Sequence, residues 1–264
     1  IFKDVDVVIN KKEKVGFIGR NGSGKSTFLK LILGQLEPDS GEIIIPKGYK
    51  IGHLEQHIKF THDTVLDEVT SILTGDREYE GWKGESILTG LGFSYDEMMQ
   101  DPKDFSGGYQ VKINLAKLLL DEPNMLLLDE PTNNLDIYTI KWLEDVLNQR
   151  DCTMIIISHD RHFLNSVCTH MADIDYGELR IYPGNYDEYM FAATQAREQL
   201  LSENAKKKNQ IAELQQFVSR FSANASKAKQ ATSRAKRIDK IQLDEVKASS
   251  RQTPFIRFDQ EKQL

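Results

Sequence analysis

At 264 residues the chain can hold one sizeable core plus an appendage, or two small domains, but not two large domains. Its 28% charged and 39% hydrophobic residues read as a soluble, mostly globular protein, and no apolar stretch approaches the roughly 18 to 20 residues of a membrane-spanning helix. The net charge of −6 is unevenly spread: ten Lys/Arg face two acids between Lys206 and Lys240, so a basic arm of +8 is joined to an acidic body of −14.

The chain starts at Ile1 with nothing resembling a signal peptide and closes on FIRFDQEKQL, which reads as a piece of a longer protein. Cys152 and Cys168 lack CxxC or zinc-type spacing and are expected to be reduced thiols in a cytoplasmic protein.

Up to about Ile181, short apolar runs alternate with helical stretches. VGFIG (15–19), GEIIIP (41–46), MLLLD (125–129) and CTMIIISHD (152–160) are expected to be strands buried on both faces. An α/β fold with a largely parallel sheet flanked by helices follows.

The first run leads into GRNGSGKST, which satisfies G-x-x-x-x-G-K-[ST] and precedes FLKLILG, a helix expected to stop at Gly34. Strand, glycine loop and helix form the setting in which backbone N–H groups curl around phosphate and the helix directs its positive end at the anion. The expected phosphate cradle is Gly19, Asn21, Gly22, Ser23, Gly24, Lys25, Ser26 and Thr27, with Lys25 on the β- and γ-phosphates of ATP and Ser26 on Mg²⁺.

LLLDEP occurs twice, at 118–123 and 126–131. The first copy follows YQVKINLAK, where Ile113, Leu115 (or Ala116), Leu118 and Leu119 recur at helical spacing. Pro123 ends that helix and leaves Asp121 and Glu122 as loop carboxylates. The second copy places Asp129 at the carboxyl end of a buried strand, where open α/β sheets bind ligands. Asp129 is therefore the expected magnesium ligand, and Glu130 the expected general base for water. His159-x-x-His162 is not expected to be a metal site, for no third ligand accompanies it.

From Asn185 a Gly- and Pro-free stretch predicts one long helix, with Ile211, Leu214, Val218 and Phe221 at the 3-4-3 spacing of a coiled-coil seam. Asn204 and Lys207 are expected to interrupt the seam one heptad earlier. A second basic helix at about 226–243 is expected to fold back on the first as an αα-hairpin.

Together, GRNGSGKS, FSGGYQ (105–110) and LLLDEPTNNLD (126–136) resemble the motifs of an ATP-binding cassette (ABC) domain. Gln56 falls where that family's Q-loop glutamine lies, and His159 where its switch histidine lies. The resemblance implies a P-loop ABC nucleotide-binding domain that hydrolyses ATP with Mg²⁺. Gln56 would contact the metal and, with His159, sense the γ-phosphate. It also implies a second cassette packed head to tail, whose nucleotide Ser106, Gly107 and Gly108 would contact. Phe2 stands too close to Gly19 to serve as the family's adenine-stacking aromatic.

The stretch from YPGNYDEYM through SRAKRIDKI resembles the inter-domain linker of ABC-F proteins, nearest the YbiT-like branch. That implies a ribosome-bound ATPase acting on translation, and the alternative is the ATPase subunit of an ABC transporter. Arg220, Lys227, Lys229, Arg234, Lys236, Arg237 and Lys240 are the expected contacts to rRNA and tRNA, through shape and backbone rather than base edges. The expected organisation is a cassette at 1–184, a basic helical hairpin linker at 185–245 and an extended segment at 246–264 leading to a second cassette absent from the chain. About fifty residues separate Gln56 from Ser106, too few for the arm that many ABC-F proteins insert in the first cassette.

Overall fold

The computed structural model describes residues 2–3, 5–54, 60–175, 177–221 and 228–238, apart from the side chains of 221 and 228–232. The chain divides into two compact units, 1–189 and 190–264.

In the first unit β1 (Lys14–Gly19) runs through the glycine loop into α1 (Lys25–Ile32), followed by β2 (Ile51–His53). A helical layer comes next: α2 (Val65–Thr70), α3 (Gly81–Gly90), α4 (Tyr95–Met98) and α5 (Gly107–Leu120). Then β3 (Met125–Asp129), α6 (Ile137–Gln149), β4 (Thr153–Ile157), α7 (Arg161–Val167) and β5 (His170–Asp175) alternate before β6 (Glu178–Pro183). The six-stranded sheet has the order β2-β3-β4-β1-β5-β6. Its first five strands are parallel, and only β6 pairs antiparallel.

Continuous apolar runs become strands here because both sheet faces are covered. Val15, Phe17, Leu127, Ile155 and Ile157 join one core cluster, while Leu126, Leu128, Met154 and Ile156, their neighbours along the strands, are equally buried. GEIIIP departs from expectation. Residues 42–46 adopt no strand, and Ile44 is 81% exposed. A strand requires a ladder partner for its backbone groups as well as apolar side chains, and among the described residues this run has none. Phe2 packs edge-on against Phe28, itself tilted on Phe17, and so belongs to the core cluster.

The helix before the first LLLDEP ends at Leu120, and its leucines are buried as the periodicity predicts. Both cysteines are free thiols; burial pushes the Cys168 thiol up to about 12 and also raises Cys152.

The long helix expected from Asn185 is α8 (Tyr186–Phe221). A reciprocal cap starts it: Asn185 Oδ1 accepts from the Glu188 N–H at 3.0 Å, and Glu188 Oε2 accepts from the Asn185 N–H at 3.0 Å. Tyr189, in its first turn, donates its hydroxyl to Asp173 at 2.6 Å.

In the second unit Ile211, Leu214 and Val218 are half-buried on one stripe. Asn204 and Lys207 extend the stripe rather than break it: Asn204 is 7% exposed and Lys207 half-buried. A polar residue at such a position gives up stability for a defined register. The basic α9 (Ala228–Ile238) follows. The Arg234 guanidinium lies 3.5 Å from the centroid of Phe217. Seventeen residues of uninterrupted helix would hold those positions about 25 Å apart, so α9 does not continue the line of α8 and meets it at this contact.

Candidate functional site

The glycine loop, Asp129 and His159 lie at one edge of the sheet because β1, β3 and β4 are parallel, with β4 between the other two. All three chains therefore leave the sheet on the same side.

At the end of β1 the loop can close only over glycine: a Cβ on Gly19 would stand 2.6 Å from Ser23 Oγ and 2.9 Å from the Ile174 carbonyl. Gly22 and Gly24 take φ of 80° and 108°, values side chains disfavour. Gly24 caps α1 and, as a glycine, brings no side chain of its own to the first-turn N–H groups. Lys25 Nζ curls back to the carbonyls of Gly19 and Arg20, at 2.8 and 3.1 Å. Ser23 Oγ is buried without a hydrogen-bond partner. An orphaned buried hydroxyl is costly unless a ligand satisfies it, and a phosphate oxygen here would do so. The loop therefore fits a nucleotide phosphate.

Across from it, Ser26 Oγ stands 3.3 Å from Asp129 Oδ2. A hydroxyl facing a carboxylate at a phosphate loop is the hard oxygen donor set Mg²⁺ takes, so these residues fit the metal. Glu130 continues from β3, its N–H bonded to the Ile157 carbonyl at 2.8 Å and its side chain 22% exposed. Its carboxylate accepts from the His159 N–H at 3.3 Å and lies 3.6 Å from His159 Nε2. Thr132 Oγ1 and Ser158 Oγ meet at 3.5 Å where the two loops leave the sheet. Gln56 lies outside the described residues.

Ser106 caps α5 with no side-chain hydrogen bond, and a Cβ on Gly107 would meet nothing within 4 Å. The turn is thus exposed and unobstructed. On Gly108 a Cβ would press on Asn134 at 3.3 Å. Phe105 and Tyr109 pack with Phe93, at centroid distances between 5.3 and 5.7 Å, which anchors the turn from behind. The two aromatics flanking the Ser-Gly-Gly turn are therefore packing residues.

Lys112, 6% exposed, had no motif to announce it. It donates to the Leu91 carbonyl at 3.1 Å, lies 5.0 Å from the Tyr109 ring centroid and sits 3.7 Å from Asp136. Asp136 caps α6 through the N–H groups of Tyr138 and Thr139, both at 3.0 Å. Hydrogen bonds from Thr139 and the nearby Lys112 charge hold its carboxyl down at about 2. His162 is taken up by Glu144 at 3.2 Å, and no group of three metal-type side chains occurs among the described residues.

Of the expected RNA contacts, Arg220, Arg234, Lys236 and Arg237 are exposed. Arg234 has one face on Phe217. Lys229 is in α9 with its side chain outside the description, and Lys227 and Lys240 lie outside the described residues. No helix among the described residues is long and apolar enough to cross a membrane.

Comparison with known proteins agrees with this geometry. The family described as ABC transporter matches residues 2–133, and a second family of the same description matches 172–258. The probable ATP-binding protein YbiT of Escherichia coli O157:H7 is 52% identical, over all of this chain and 57% of its own length. The uncharacterized ABC transporter ATP-binding protein YkpA of Bacillus subtilis (strain 168) is 41% identical, over all of this chain and 56% of its own. The chain thus spans just over half the length of these relatives. A solved ATP-binding subunit of an ABC transporter superposes with a TM-score of 0.62 at 24% identity, covering 71% of this chain and 84% of that one, a likeness of fold alone. The chain belongs to the ATP-binding cassette family and, within it, to the ABC-F proteins with YbiT.

Proposed function

We propose that the chain is one ATP-hydrolysing cassette, with its helical linker, of a cytoplasmic ABC-F protein that acts on the ribosome. The observation that carries the hydrolytic part is the meeting of Ser26 with Asp129 at 3.3 Å, one residue from Glu130 and its His159 contact.

ATP phosphates bind to the backbone of residues 19–27, with Lys25 turned from the loop carbonyls onto them. Ser26, Asp129 and Gln56 would hold Mg²⁺, whose charge neutralises the β- and γ-oxygens. Glu130 accepts the proton of the attacking water, and His159 and Gln56 read the γ-phosphate. Ser106, Gly107 and Gly108 offer α5's N-terminus to the nucleotide of a second cassette, so this chain alone is expected to hydrolyse ATP poorly. ATP closes the pair and hydrolysis reopens it.

The ribosomal part draws on the resemblance of the helical stretch to the linker of ABC-F proteins and on charge. α9 exposes Lys236 and Arg237 while Ala235 and Ile238 are half-buried. A basic arm joined in sequence to an acidic body favours entry of the arm into RNA with the cassette left outside.

The test is Glu130→Gln in the full-length protein with both cassettes. ATP should trap that variant on ribosomes in a sedimentation assay; unchanged hydrolysis and release would sink the assignment. Co-purification with a membrane subunit instead would support a transporter ATPase. Ribosome binding that survives Lys25→Ala unchanged would point to a non-hydrolysing RNA-binding scaffold.

A further inference from the structure

At the amino ends of the parallel strands, the edge of the sheet opposite the nucleotide site, the first unit holds a second concavity. Residues 11–12, 46–49, 122–124 and 149–153 line an open groove of about 800 Å³. These segments lead into β1, β2, β3 and β4. The glycine loop, Asp129 and His159 lie at the carboxyl ends, where open α/β sheets bind their ligands, so this groove is separate from the ATP chemistry.

Four cations line it, Lys11, Lys12, Lys47 and Arg150, against two carboxylates, Glu122 and Asp151. Both carboxylates are engaged: Asp151 pairs with Lys12 at 2.7 Å, and Glu122 faces Arg77 and Lys83, which lie outside the groove. Lys11, Lys47 and Arg150 take part in no ion pair among the described residues.

Cations at this edge have one structural use, because the last carbonyls of a helix lack partners and carry negative charge. Lys14 serves the end of α6, donating to the Leu147 and Asn148 carbonyls at 2.9 and 3.0 Å. Arg150 donates to the Leu119 carbonyl in the last turn of α5 at 2.7 Å. That use is incomplete, for Arg150 Nε is buried without a hydrogen-bond partner. Burial also pulls the guanidinium below its ordinary pKa, so an anion beside it would compensate the lost solvation. Lys11 and Lys47 are exposed, and neither helix end uses them.

We infer that this groove binds phosphate groups, held by the Arg150 fork and the Lys11 and Lys47 ammoniums, from an RNA strand or from a free polyphosphate. A guanidinium matches phosphate geometry, and lysines on long stems follow the anion as point charges. The volume is that of a pocket for a ligand larger than one phosphate. Failure of the inference would leave ATP binding at the glycine loop untouched.

Differential labelling of this chain, read by mass spectrometry, tests it. Cys152 is half-buried in the groove wall and Cys168 is buried in the core. N-ethylmaleimide on Cys152 therefore reports the groove, with Cys168 as the internal standard. A single-stranded oligouridylate or sodium tripolyphosphate should slow Cys152 labelling severalfold. K11Q/K47Q should lose that protection, while K25A, altered in the phosphate loop at the other edge, should keep it. Protection by the oligouridylate alone assigns the phosphates to an RNA strand, and the salt slope of its binding should then flatten by about 1.4 in K11Q/K47Q. Protection by tripolyphosphate at the same or lower phosphate concentration assigns a free polyphosphate. If Cys152 does not label in the free protein, acetylation of Lys12, whose side chain is 62% exposed, replaces it as the reporter. The inference is overturned by no protection from either probe, by protection unchanged in K11Q/K47Q or lost in K25A, or by equal protection from polyglutamate.

Discussion

The two LLLDEP copies share more than letters. Glu122 and Glu130 both take positive φ, 49° and 51°, and both precede a proline, which disfavours the right-handed helical region for the residue before it. Left-handed backbone recurs in both copies of the hexapeptide, so at Glu130 it is not by itself a mark of catalysis. Surroundings separate the pair. Glu122 is half exposed and faces Arg77 at 3.5 Å and Lys83 at 3.7 Å, surface pairs that solvent screens. Glu130 lies beyond the far end of β3, whose five residues put about 16 Å between the two. Steady-state ATPase assays of the full-length protein should find Glu122→Gln close to wild type and Glu130→Gln without turnover. Equal losses in the two variants would remove the division of labour.

At the scale of elements, legibility followed how local the cause was. The phosphate loop and the end of α5 were readable because each is set by residues close in sequence, and the apolar runs of β1, β3 and β4 because they also found the ladder neighbours a strand needs. GEIIIP looked equally like a strand, but strand formation depends on a neighbour that a single run does not reveal. Glu68 and Lys117 meet across 49 positions without a motif, and Lys112 likewise finds Leu91 and Asp136 only in the fold. Asn185 and Glu188 did carry a signal, the N-x-x-E spacing of a reciprocal cap. The docking of α3 on α6 was also hidden, and it depends on the absence of a side chain. A Cβ on Gly90 would run into the indole of Trp142, which packs directly over the helix backbone. The ring must move if that space is filled. Gly90→Ala should therefore destabilise the first unit by about 1–3 kcal/mol, read as a lower denaturant midpoint with Trp142 emission as the local reporter. A midpoint equal to wild type would mean that the α3–α6 contact yields at no cost.

For the whole molecule the governing feature is charge segregation. Thirty-five positions hold a +8 excess in a chain of net −6, and α9 exposes its cations while Ala235 and Ile238 are half-buried. Phosphate contacts are recognised by their salt dependence, because each neutralised phosphate releases condensed counterions and steepens the fall of log K with log salt by about 0.7 to 0.9. Lys236 and Arg237 are adjacent and exposed, and neither is paired in a described salt bridge. If both meet RNA phosphates, replacing them with glutamine should flatten the salt slope of ribosome binding by roughly 1.4 to 1.8. The measurement is ATP-dependent cosedimentation of full-length protein over a salt series, made in the Glu130→Gln background so that hydrolysis does not release the complex. ATP affinity should be unchanged in a K236Q/R237Q variant, since both residues belong to the second unit and the phosphate loop to the first. A slope that stays at the parent value, with weaker binding at every salt concentration, would assign these two cations to the fold of the second unit instead of to RNA.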